Sequence, residues 1–421
     1  MTRAASICAA LATSAAVALA LLLPPGAEAA PAFAVSPTMT GDQRAPDLAV
    51  DSDGNYLIVW QGPDGDGDGI FGRRFAADGS PIGDAFAVNT SRTGQQAGPH
   101  VAIDGAGRFV ISFASTVPGS QPSLQIRRYS DTGIPIDRAP RALPVSFSNH
   151  DLALAADGTA TFVGIAEGAA APVSTPTTVR LRRFRFDGTA LGAEIVVDSV
   201  NPFFRRPAPG ICADADGGFA IAYSRAGTTG DITFKRYASN GLLLGTSAFG
   251  FRSDGNSDPV RVACLADGSH VTSYTVSDLG DFLQSDVVVN RLDSSGAVVG
   301  EFVVNDTIAI PGMGNTANSF EADLAADPAG GFAVVWSSLV ITRGDDENPE
   351  AFETRIHGRR YTASGAPASA VLRIDSAQLP SRASVPVAVL SARNRVASWI
   401  EADVAPSGAL QNFRVLGRQL P

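Results

Sequence analysis

The chain has 421 residues and carries 32 Lys and Arg against 42 Asp and Glu, a formal charge of −10. A hydrophobic share of 45 % excludes wholesale disorder, and the acid excess excludes the basic face that nucleic acid requires. With 43 Gly and 27 Pro the chain is dense in turns, and its length allows one large domain or two to three ordinary ones.

In chain order, the first segment is an address label. Arg3 is followed by an uncharged stretch to Leu23, then by Pro24-Pro25-Gly26 and Ala27-Glu28-Ala29. A basic start, an apolar run and an A-x-A ending predict a secretory signal over residues 1–29. Residues 30–421 are then an exported single domain, whether periplasmic, cell-surface or extracellular. No later stretch is long and apolar enough to span a bilayer.

A pattern then recurs. Pro46–Trp60 reads PDLAVDSDGNYLIVW and Pro99–Phe113 reads PHVAIDGAGRFVISF. Further copies start at His150, Pro209, Val260, Ala322 and Val385, at intervals of 51 to 63 residues. Each copy is two β-rich runs about a tight glycine turn, which predicts a hairpin. A second hairpin follows in most repeats, as in IFGRRFAADGSPIG from Ile70, LRRFRFDGTALG from Leu181 and VNRLDSSGAVVG from Val289. Four antiparallel strands per repeat, A (innermost) to D, make one blade, so the expected fold is an all-β, seven-bladed β-propeller.

The ends predict closure. The seventh repeat stops after its third strand, at Leu416–Leu420, while Ala32–Val50 parallels Ala85–Ile103 position for position. The segment Phe33–Val35 is therefore expected to pair as strand D of the last blade, removing two exposed sheet edges. The run W … I-x-x-R-R-F … G … F-x-V-N … G-x-Q-x-x-P resembles repeats of secreted bacterial β-propellers. That resemblance covers nearly all of residues 30–421. It implies fold and export, and it carries no catalytic residues across.

Turn chemistry points to one working face. The A–B and C–D turns are short and carry Asp53-Gly54, Asp78-Gly79, Asp157-Gly158 and Asp187-Gly188, which turn stereochemistry demands. The B–C and D–A loops vary, and function concentrates on such loops. Their carboxylates gather on consecutive blades: Asp64, Asp66 and Asp68 on blade 1, Asp278 and Asp281 on blade 5, Asp345, Asp346 and Glu347 on blade 6, Glu401 and Asp403 on blade 7. Such an acidic arc attracts a basic or cationic ligand, protein or glycan; ordinary surface solubility accounts for the same charges.

Asp64-Gly65-Asp66-Gly67-Asp68-Gly69 is the candidate metal loop, because alternating carboxylates on a glycine-rich backbone converge on Ca2+. The twelfth position is Phe75 rather than Glu, which predicts weak affinity, on the order of 0.1–1 mM. Arg73-Arg74, Arg127-Arg128, Arg182-Arg183 and Arg359-Arg360 recur on strand C. Adjacent strand residues face opposite ways, so these pairs are expected to bond neighbouring blades rather than phosphate.

His100 and His150 begin innermost strands alongside Asp47, Asp151, Asp258, Glu321 and Asp323, a set from which a centre at the channel mouth can be drawn. No nucleophile elbow, phosphate loop or H-E-x-x-H is present. Cys212 and Cys264 lie on the innermost strands of blades 4 and 5, where a disulfide and two buried thiols are both open. The main expectation is a binding or scaffold propeller working through its B–C and D–A face, its partner unidentified. The alternative is a propeller enzyme, a metal-dependent hydrolase or lyase centred on the channel mouth.

Overall fold

Two-residue alternation of apolar side chains, broken every few residues by glycine turns, folds the repeats into antiparallel strands, four to a blade. The computed structural model describes residues 31–420 except 37–39, 121, 144–146, 167–176, 201–207, 226–230, 251–258, 279–280, 305–316, 329, 343–350, 376–381, 391–394 and 405–409. The predicted signal, residues 1–29, lies outside the described residues. Among them no helix is long and apolar enough to cross a membrane.

Blade 1 comprises Arg44–Val50, Tyr56–Pro63, Asp68–Phe75 and Pro81–Ala87, hydrogen-bonded in that order. Four further sheets repeat this arrangement. Blades 6 and 7 merge into one eight-stranded sheet through a single parallel pairing of Thr354 with Arg382. The turn residues act as expected: the Asp51 carboxylate accepts the N–H groups of Asp53 and Asn55, both at 2.9 Å, and Gly54 takes φ 88°.

Apolar side chains pack between blades. Ala49, Leu57 and Val59 of blade 1 meet Val101, Phe109 and Phe113 of blade 2, all buried. Closure is as the repeat predicts. Phe33 and Ala34 pair with Gly417 and Leu416, and the Val35 N–H donates to the Val415 carbonyl at 3.1 Å. A Cβ at position 417 would fall 2.6 Å from the Phe33 ring, so any larger residue there would push that ring aside.

The paired basic residues clamp in both directions. Arg73, Arg127 and Lys235 reach back to carbonyls of the preceding blade's edge, those of Val35, Val88 and Val197. Their neighbours reach forward to the next blade's C–D turn: Arg74 to Asp131 and Thr132, Arg128 to Phe186, Arg183 to Ser239. Gln419 does the same across the closing seam, donating to the Ala77 carbonyl at 2.7 Å. Strand alternation thus ties blades 1 and 2 to both neighbours. Arg182 is an exception, bonding Gly192 within its own blade.

Arg128 also holds the buried Asp137 carboxylate at 2.5 Å. Arg128→Ala would strand that charge, and urea denaturation should show a loss of about 3 kcal/mol. His357, stacked on Trp336, has its pKa pushed down to about 4 by burial, which outweighs the nearby Asp375 carboxylate. Between pH 6.5 and 4 the unfolded chain therefore binds a proton that the folded chain refuses. Stability falls as pH drops through that window, by up to about 3 kcal/mol from this residue. His357→Gln should remove that part of the acid sensitivity in denaturation curves at pH 7 and 4.5.

Candidate functional site in the central channel

The innermost strands enclose a cavity of about 400 Å3, lined from blades 1 to 6. One repeat position supplies its polar groups. The second residue of each innermost repeat is Asp47, His100, Asp151, Gly210, Arg261, Asp323 and Pro386 in ring order. Bulges place several of these side chains. Strand pairing slips between Arg44 and Asp47, Ala97 and His100, Ser148 and Asp151, and Phe320 and Asp323, resuming each time at the ring residue. A bulge bends its strand and re-aims the side chain that follows. Ala45 takes φ 46° at the first bulge, where the second blade uses Gly98 at φ 59°, so local strain marks the channel mouth.

The ring residues engage the following blade. Asp47 Oδ2 accepts the Val101 N–H at 2.8 Å, and Asp151 Oδ2 accepts the Ile211 N–H at 3.1 Å. His100 Nδ1 lies 3.6 Å from Asp47 Oδ2 and 3.4 Å from Asp151 Oδ1. Further round, Arg261 Nε stands 3.3 Å from Asp323 Oδ1. Behind His100 the buried His150 ring packs edge-on at 4.9 Å, its Nε2 3.0 Å from the Ser112 hydroxyl.

These environments push the two imidazoles apart. Burial disfavours charge on His100, but the Asp47 and Asp151 carboxylates outweigh it and lift its pKa above the ordinary value, against a smaller pull from Arg261. Burial, aided by His100, holds His150 well below that value, so it stays neutral. Burial also raises Asp151, helped by Asp47 and opposed by His100 and Arg261. A proton donor and a carboxylate poised to change protonation share one cavity, which is the equipment of general acid–base chemistry.

The structure brings together Asp47, His100, Asp151 and Asp323 of the channel-mouth set, with His150 behind. Asp258 lies outside the described residues, and Glu321 is placed only by its backbone, on the blade 6 strand Ala317–Ala326. Arg261 escaped the sequence reading. Its signal was present: it occupies the same repeat position as Asp47 and His100.

The other candidates are dispersed. Asp64 Oδ2 accepts from Asn89 at 3.0 Å, and Asp68 Oδ2 accepts from Gln61 at 2.7 Å and Gln95 at 2.8 Å. The carboxylate oxygens of Asp64, Asp66 and Asp68 do not all come within 4.8 Å of one another. Asp278 and Asp281 are register partners closing the blade 5 B–C hairpin. Asp403 pairs with Gln411 at the end of blade 7 strand B. Glu401 differs from expectation: that strand continues to Val404, so Glu401 is buried on it, 4.0 Å from Arg414, instead of exposed on a loop. Asp345, Asp346 and Glu347 lie outside the described residues. Cys212 and Cys264 form a disulfide with their Cα atoms 5.6 Å apart.

No protein-family model matches the chain, and no curated protein does. Solved structures do resemble it. An ulvan lyase of polysaccharide lyase family PL25, bound to -[GlcA(1-4)Rha3S]-, superposes with TM-score 0.52 at 9 % identity over 91 % of this chain and 95 % of its own. A fungal alcohol oxidase of the AA5 family, in complex with copper, gives 0.50 at 13 % identity over 94 % and 76 %. A protein of unknown function from Dyadobacter fermentans gives 0.49 at 10 % identity over 94 % and 100 %. At these identities the likeness is one of fold: this chain is a seven-bladed β-propeller built on the same plan.

Proposed function

We propose that this chain is an enzyme that cleaves a glycan held over the channel mouth. His100 protonates the leaving oxygen, and Asp151 or Asp47 takes a proton from water or from the sugar. The observation that carries this reading is His100 Nδ1 held between carboxylates of two other blades inside the 400 Å3 cavity. Arg261 supplies a cation in the same ring for an anionic sugar substituent. The fold shared with a lyase named for an acidic polysaccharide supports the choice of substrate class. Export, as the leader predicts, would place such an enzyme among external polysaccharides. The acidic-arc binding reading has less behind it, since Glu401 is buried and the blade 1 carboxylates are held by amides.

A panel of neutral and acidic polysaccharides tests this. The wild-type chain should release new chain ends from at least one member: reducing ends alone mean hydrolysis, and unsaturated, ultraviolet-absorbing ends mean elimination. Asp151→Asn should abolish the release. No cleavage across the panel, or equal cleavage by the variant, overturns the reading.

A further inference from the structure

The seam between blades 4 and 5 holds a second cluster of chemistry-bearing side chains, separate from the acid–base ring. The Cys212–Cys264 disulfide crosses it, and both cysteines line the channel cavity. Cys264 is the register partner of His270 in the blade 5 A–B hairpin. Directly opposed residues of an antiparallel pair carry their side chains side by side on one face of the sheet. His270 is fully buried: its Nε2 lies 3.0 Å from Asp214 Oδ1, and its Nδ1 has no hydrogen-bond partner. Ligand atoms of Asp214, Cys264 and His270 all fall within 4.8 Å of one another, and no other such trio of metal-ligand types occurs among the described residues.

We propose that reduction of this disulfide opens a zinc site at the seam. A dithiol passes two electrons to the S–S bond, is itself oxidised to a disulfide, and leaves Cys212 and Cys264 as thiols. Zinc then displaces their two protons and takes both sulfurs, a His270 nitrogen and an Asp214 oxygen. Two thiolates, an imidazole and a carboxylate suit the four-coordinate preference of Zn2+. A zinc ion bound at Nε2 turns the present contact between the His270 ring and Asp214 into two ligand bonds, one from the ring and one from the carboxylate. The cavity gives reductant and ion a route in, because the cysteines form part of its wall. While the disulfide is intact, the Cys264 sulfur is committed to Cys212 and the site is closed.

The test is a cobalt(II) titration of the full chain before and after reduction. A non-chelating phosphine serves as reductant, giving the same two electrons to the S–S bond and becoming the phosphine oxide with water as oxygen donor, and is removed before metal is added. The reduced chain should bind one equivalent and develop an intense thiolate-to-metal charge-transfer band that zinc then displaces. The oxidised chain should show no band, Cys264→Ser should lose it, and His270→Gln should weaken binding at least about tenfold. Circular dichroism of each sample reports whether the sheets persist. A reduced, folded chain that takes up neither metal overturns the proposal. So does a chain that loses its fold on reduction, since the site needs both blades in place.

Discussion

His100→Gln is expected to lower kcat/KM for glycan cleavage by about 10²–10⁴-fold, the usual loss when a general acid is removed. The pH profile should separate this loss from a structural one. The active form needs His100 protonated and its partner carboxylate ionised. Because the neighbouring carboxylates raise the His100 pKa, the alkaline limb should lie above 6.5, the ordinary histidine value. Because burial raises Asp151, the acid limb should lie above 3.8, the ordinary aspartate value. The variant should keep the acid limb and lose the alkaline one. A variant with wild-type rate and both limbs would remove His100 from the chemistry. The same raised pKa has a stability counterpart. His100 contributes stability that is fully present below its unfolded value and is lost as pH rises through its folded value.

Removing residues 30–36 should cost on the order of 5 kcal/mol, a large share of the 5–15 kcal/mol typical of a folded domain. Val35 is completely buried among Leu48, Trp60, Phe75 and Val415, and Phe33 packs on Phe75 at 5.2 Å between ring centroids. Burying a side chain of this size is worth roughly 1.5–3 kcal/mol, and each lost ladder hydrogen bond adds about 1 kcal/mol. The truncated chain also exposes the edge of Leu410–Gln419, which should bring concentration-dependent association on size-exclusion chromatography. A monomeric truncation with an unchanged urea midpoint would show that the ring does not depend on this strand.

The repeat made the architecture readable because each of its features answers a local physical demand. Asp-Gly turns, alternating apolar strands and the leftover fourth strand at Phe33 all follow from rules that act over a few residues. The Arg pairs followed from strand alternation, although only the structure shows that one member looks back and the other forward. The site was readable in part, since Asp47, His100, Asp151 and Asp323 stand at strand starts. Arg261 was not legible from loop charge because it stands on a strand, at a fixed position in the repeat. The spacing of Asp64, Asp66 and Asp68 is local and so was legible, while the amides that bond Asp64 and Asp68, those of Gln61, Asn89 and Gln95, come from three different strands or loops and were not. Glu401 looked like a loop carboxylate because nothing in its immediate neighbours signals that strand B of blade 7 runs on to Val404.

The most direct measurement is a crystal structure of the Asp151→Asn chain with an oligosaccharide cut from a polysaccharide that the wild type degrades. The sugar should sit in the channel mouth, with its scissile oxygen within hydrogen-bond reach of His100 and an anionic substituent facing Arg261. A sugar seated on the outer B–C loops, away from blades 1 to 3 of the channel, would contradict it.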